Sequence, residues 1–209
     1  MKPRRMEKAW PIMAVLVLAA SLQACAPTKL PLNTSVPPMK ARKFPVSAAV
    51  VVPDTLRNTV STYDVSCAGN YEIPIGMELE TGMVETLSPL FDTVDVVNDK
   101  GLAVGHYDVV VEPKALDLTT DGHCLSRRFL YLLGPFYIFT SPTDSFEGRA
   151  AVPVTVMDRQ GQAILTETFK SKTHNQDALF QTSADKDSAV TIALRESIID
   201  AMQQMGRGL

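Results

Sequence analysis

Residues 146–172 read FEGRAAVPVTVMDRQGQAILTETFKSK. Two runs of strand-forming composition, 146–157 and 162–172, flank Asp158-Arg159-Gln160-Gly161. A short polar turn with glycine between two such runs reads as a β-hairpin. A hairpin makes its strands antiparallel neighbours, which sets the expected character of the sheet. Upstream, residues 107–118 form another strand candidate, with Val109, Val111 and Leu116 inward. Residues 93–97 alternate, with Val94 and Val96 facing one way. Residues 48–52 are a continuous apolar run closed by Pro53, as expected of a buried strand, and residues 70–75 form a further extended piece.

Two helices complete the pattern. Residues 76–91 carry Met83, Val84, Leu87, Leu90 and Phe91 at helical spacing, and Pro89 should kink or end that helix. Glu78, Glu80 and Glu85 on it read as a solvated face. A last helix should follow Asp185, which can cap it. There Val190, Leu194, Ile198, Ala201 and Met205 make one apolar stripe. The expected fold is α+β in two layers: a mostly antiparallel sheet of four to five strands with two helices on one face.

The chain has 209 residues, with 20 Lys+Arg against 23 Asp+Glu and a pI of about 5.6. That length suits one domain with an extension. A hydrophobic fraction of 45% excludes a wholly disordered chain. The acidic balance argues against nucleic acid as a partner. No apolar run reaches the length of an ordinary membrane-spanning helix.

The N-terminus is organised differently. Lys2, Arg4, Arg5 and Lys8 precede a short apolar run, IMAVLVLAA at 12–20, and then Leu22-Gln23-Ala24-Cys25. The charge order and the short apolar run are those of a secretory signal. The last four residues resemble the lipobox of bacterial lipoproteins. The resemblance implies cleavage before Cys25, lipidation of its thiol and acylation of its freed amine. Two or more acyl chains hold a protein stably on a membrane. Residue 26 is Ala and not Asp. By resemblance to lipoprotein sorting, this implies the outer membrane, with the body facing the periplasm. Residues 1–24 hold four basic and one acidic side chain, which leaves 16 basic and 22 acidic in the mature chain.

The expected organisation is a signal peptide at 1–24, a lipidated cysteine and Pro-rich tether at 25–45, and one α/β domain at 46–209. Residues 26–45 contain Pro27, Pro31, Pro37, Pro38 and Pro45 and show no helical periodicity. Such a stretch reads as a semi-rigid spacer that could lift the body up to roughly 60 Å from the bilayer. The order of elements is similar to that of small α/β envelope lipoproteins, such as the lipopolysaccharide-assembly lipoprotein and penicillin-binding-protein activators.

With Cys25 assigned to lipid, Cys67 and Cys124 remain. An even remainder in an oxidising compartment reads as one disulfide. The rival is a metal site from Cys67, Cys124, His123 and His106, although the spacing matches no closed zinc motif. His174 reads as a surface residue. No nucleophile elbow, metalloprotease or phosphate-loop motif is present, and neither an enzyme nor a cofactor is expected.

An apolar loop is expected at 125–145. Its centre, 129–139, reads FLYLLGPFYIF and holds five of the chain's 13 Phe and Tyr residues. Arg127 and Arg128 precede it. Three readings stay open. The segment is core over one end of the sheet, a protein-binding surface, or a hairpin dipping into the membrane. Under the last two, Arg127, Arg128, Phe129, Tyr131, Leu133, Phe136, Tyr137 and Phe139 make the contact. The expected function is a non-enzymatic, membrane-anchored accessory that docks another envelope protein. The alternative is a carrier or sensor of a lipid or small apolar ligand, held between sheet and helices under the apolar loop.

Overall fold

The computed structural model describes residues 26–39, 42–124, 143–178 and 182–209. Its longest strand is the first arm of the expected hairpin, β8 (Asp144–Asp158), followed by β9 (Ala163–Lys170). The turn between them is held by Asp158. Its carboxylate accepts from the N–H groups of Gln160 and Gln162 at 3.0 and 2.8 Å. Gly161 takes the left-handed conformation, φ 79°, that the turn needs.

Along β8 every even-numbered residue from Asp144 to Val156 is buried. That period of two turns one whole face toward the core. The strand is 15 residues long and changes partners along both edges. Its first half pairs with β7 (Asp117–His123) on one edge and β10 (His174–Ala178) on the other. Its second half pairs with β6 (Val109–Pro113) and β9. Pro153 lacks an N–H, yet sits inside this central strand. Its carbonyl accepts from Lys114 N–H at 2.9 Å, so its ring nitrogen faces the same edge. There the ladder passes from β6 to β7, and no donor is required.

The sheet continues from β6 through β2 (Phe44–Val51) to β5 (Phe91–Val97), and both contacts of β2 are parallel. A second, three-stranded sheet has the order β1 (Thr28–Lys29), β4 (Gly69–Ile73), β3 (Ser61–Val65). The fold is therefore α+β, as expected. Instead of one sheet of four or five strands, ten strands among the described residues form mixed sheets of three and seven, with most pairings antiparallel. The strand expected over 107–118 is broken into β6 and β7 after Pro113. Strands β3 and β10 escape a pattern search because they are largely polar, STYDV and HNQDA.

Four helices are present among the described residues rather than two. Two are single turns, α1 (Asp54–Arg57) and α3 (Lys100–Ala103). The long ones are α2 (Ile75–Leu87), which ends just before Pro89, and α4 (Ser183–Gly208). Thr182, not Asp185, caps α4: its hydroxyl accepts from Asp185 N–H at 3.1 Å. Val190, Leu194, Ile198, Ala201 and Met205 are all fully buried. Leu79, Met83 and Leu87 of α2 join them in one core, with Ala48, Val50 and Val52 below. The opposite face of β2, Ala49 and Val51, packs with Ala103 of α3 in a smaller cluster. These buried side chains lie between the sheet and the long helices, the region where the alternative reading places a ligand.

Helix α4 lies on β8 at Gly148, where a Cβ would come 2.5 Å from the carbonyl oxygen of Ala193. Backbone meets backbone there, so neither side can yield cheaply. Gly148→Ala should cost about 1–3 kcal/mol of stability by forced overpacking, read as a lowered urea midpoint at unchanged slope. An unchanged midpoint would show that the helix can lift off the strand without loss.

Candidate functional site

The stretch expected to be a spacer is part of the folded body. Leu30, Leu32, Thr34 and Val36 are buried, and the residues between them are exposed. That is the alternation of a strand. Its prolines, Pro31, Pro37 and Pro38, limit ladder formation. Only Thr28 and Lys29 pair in β1, and Leu30 N–H adds one bond to Glu72 O at 2.9 Å. Beyond that point side chains replace the missing ladder. Asn33 turns the chain at φ 48°, and the successive N–H groups of Asn33 and Thr34 each donate to one carboxylate oxygen of Glu78 at 3.0 Å. Val36 N–H donates to Glu85 at 2.6 Å. Glu78 and Glu85 lie two turns apart on α2 and face the segment together. They are a clamp, not the solvated face that their charge suggested. Glu80, between them, pairs instead with Arg57 of α1 and raises the pKa of that guanidinium.

Thr28 pairs in parallel with Tyr71. Ala26 and Pro27 therefore lie beside Gly69 and Asn70, next to the turn at 66–68, which carries Cys67 in a left-handed conformation, φ 65°. Cys67 is bonded to Cys124, with Cα atoms 6.2 Å apart across 57 residues of sequence. The sulfurs are thus engaged with each other, which removes the thiolates a zinc site would need. Among the described residues no group of three metal-ligating side chains occurs. His123 pairs with Glu147 at 3.1 Å instead.

The same end of the molecule is tied further by α4. Lys186 Nζ donates to the Cys67 carbonyl at 3.0 Å and pairs with Asp144 at 2.7 Å; both side chains are nearly buried. One residue on, Asp187 accepts from the Tyr71 hydroxyl at 2.7 Å. Burial first, then that hydrogen bond and the neighbouring charge, push the Tyr71 hydroxyl well above its ordinary range. Strand β7 ends at His123, which pairs with Ser145 of β8. The connection between them is therefore pinned at one foot by the disulfide and at the other by Asp144. Its residues 125–142, with Arg127, Arg128, Phe129, Tyr131, Leu133, Phe136, Tyr137 and Phe139, lie outside the described residues, as does Cys25.

His174, expected at the surface, is half-buried at 3.4 Å from Asp200 of α4. Burial alone would raise the Asp200 carboxyl, but hydrogen bonds from Lys172 N–H and His174 outweigh it and hold the group low. Sequence reasoning missed Glu78 and Glu85 as functional. Their partners were legible as the alternation of Leu30, Leu32, Thr34 and Val36.

No family model matches the chain, and no curated protein matches it in sequence. Solved structures do resemble it. One is lipoprotein B of Nitrosomonas europaea, with a TM-score of 0.45 and 14% identity, covering 81% of this chain and 88% of that one. Another is a Xanthomonas campestris protein of the DUF330 family, at 0.44 and 13%, covering 85% and 94%. A third is a minor lipoprotein of Acinetobacter baumannii, at 0.42 and 15%, covering 79% and 91%. At TM-scores below 0.5 these likenesses assign neither family nor activity.

Two measurements test the geometry. Replacing Glu78 and Glu85 by Ala strands three N–H groups and should cost about 1–3 kcal/mol for the buried one alone. Trypsin should then cut at Lys29 much faster; equal cutting in both proteins would show that the clamp holds nothing. A tyrosine whose pKa is raised on folding adds stability that is complete below its unfolded value of about 10 and is lost as pH rises through and beyond it. Stability should therefore fall above about pH 10, and Tyr71→Phe should lose less over that interval, read from urea midpoints. Identical alkaline slopes would refute the assignment.

Proposed function

We propose that this chain is a non-enzymatic lipoprotein of the bacterial envelope, held by lipid at Cys25, that docks a partner envelope protein close to the membrane. The outer membrane, with the body facing the periplasm, is the location this reading takes from the sorting residue Ala26. The observation that carries it is the pairing of Thr28 with Tyr71 beside the Cys67–Cys124 disulfide. It directs the anchored end of the chain and both feet of the 125–142 connection to one pole.

The mechanism is positioning. Only Ala26 and Pro27 lie between Cys25 and Thr28, so over three Cα steps the lipidated residue stays within about 11 Å of β1. The leash is far shorter than a free Pro-rich tether would be. A short leash restricts the height and the tilt of the body, which raises the effective concentration of its membrane-facing pole against any partner in the same plane. The connection that starts and ends at that pole contains the most aromatic stretch of the sequence, 129–139, preceded by Arg127 and Arg128. Aromatic side chains suit a docking surface because they bury much area at low rotamer cost. The flanking arginines suit a position at headgroup level.

The test is in-cell photo-crosslinking from a reactive amino acid at Phe136. A discrete protein adduct is expected, and it should weaken when about ten Gly/Ser residues are inserted after Ala26, since the reach then grows several-fold. Lipid adducts alone would replace docking by membrane insertion. Adducts confined to the chain itself would make 129–139 core and defeat the proposal.

A further inference from the structure

The far end of α4 carries a groove that the docking pole does not use. From Lys186 beside Cys67 to Leu209 the helix rises about 35 Å, so this groove lies at the opposite pole. It has two joined parts that share Phe44 and Leu209. The narrower, about 250 Å³, is walled by Val46, Phe91, Val109, Val156, Ile164 and Leu165, all apolar. The wider, about 510 Å³, is bounded by Pro38, Met39, Leu90 and Gln203, with Arg42 and Arg207 at its rim. Both volumes are on the scale of small-molecule sites or just below it. Beside the groove, the register of β2 against β5 shifts between Phe44 and Ser47.

Large apolar side chains are left facing water here: Phe44 is 43% exposed and Ile164 64%. Among the described residues the two arginines are the only charged side chains lining either part. Among the described residues neither has an ion-pair partner. A carboxylate at Leu209 counted against them still leaves the rim positive. An apolar slot opening onto a cationic rim is complementary to one kind of molecule, an acyl chain with an anionic head. The narrow part takes the chain and the arginines take the head, where the guanidinium fork matches carboxylate or phosphate geometry. We infer that this groove binds a single-chain anionic lipid, with Phe44 and Ile164 on the acyl chain and Arg42 and Arg207 on the headgroup. The inference is independent of the docking role, since it uses the opposite pole and none of residues 125–142.

The test uses the full lipidated chain in native membranes and a diazirine-bearing palmitate, with adducts mapped by peptide mass spectrometry. Adducts should fall on the peptides that hold Phe44 and Ile164. The methyl ester of the same probe, which lacks the anion, should label about tenfold less, the loss of roughly one charge-assisted contact. Arg42→Glu combined with Arg207→Glu should reduce palmitate labelling by a similar factor. Both positions are exposed and unpaired, so the fold should be unaffected, with unchanged membrane pelleting and trypsin resistance as the control. Competition by lysophosphatidylglycerol would assign a phosphate head, and its failure a carboxylate head. Equal labelling by ester and acid, labelling insensitive to the charge reversal, or adducts elsewhere on the body would overturn the inference. So would a discrete protein adduct from a photoreactive residue at Ile164. Loss of the Phe136 crosslink would leave this result untouched.

Discussion

The structure depends on one strand being long enough to serve two partners on each edge. Strand β8 binds β7 and β10 with its first half, β6 and β9 with its second, and supports α4 across its even-numbered face. The direct backbone contact at Gly148 seats the helix against the strand. Because the strand and the helix are both long, the body has two well-separated ends. One holds the disulfide and the Lys186–Asp144 pair; the other holds the C-terminal turn of α4 and the start of β2. The distinction between two poles on which both proposals rest follows from the length of these two elements.

The second constraint acts on the segment after Cys25. Proline denies a chain its donors, so a Pro-rich stretch cannot be held by a ladder alone. Here the remaining donors are taken up by carboxylates on a helix: Glu78 binds two successive N–H groups and Glu85 a third. Hydrogen bonds to an ionised acceptor are among the stronger ones available, and Leu30, Leu32 and Val36 add apolar burial between them. The combination converts a stretch with the composition of a linker into a structural element. Under the proposed function it also shortens the reach of the proposed anchor at Cys25.

The disulfide and the buried Lys186–Asp144 pair fasten the turn at 66–68, the end of β7, the start of β8 and the start of α4 into one block. A long apolar connection leaves from this block and returns to it. An apolar groove with a cationic rim at the other pole gives the molecule a second surface whose chemistry differs from that of the first.

The amino-acid sequence alone determined what depends on local pattern. Strand-forming composition marked β8, the Asp-Arg-Gln-Gly turn marked its hairpin, the stripe from Val190 to Met205 marked α4, and Pro89 marked the end of α2. The signal-like N-terminus and the parity of the remaining cysteines are likewise local or countable. Only the tertiary structure decided the rest. The parallel seat of β2 between β5 and β6 joins residues some 45 to 60 positions apart, and nothing local encodes such pairings. Polar strands such as β3 and β10 acquire their character from the neighbour that completes their ladder. Glu78 and Glu85 read as solvated acids until the chain from Asn33 to Val36 is laid against them, because a carboxylate's role is set by the donors that reach it and not by its own position on the helix.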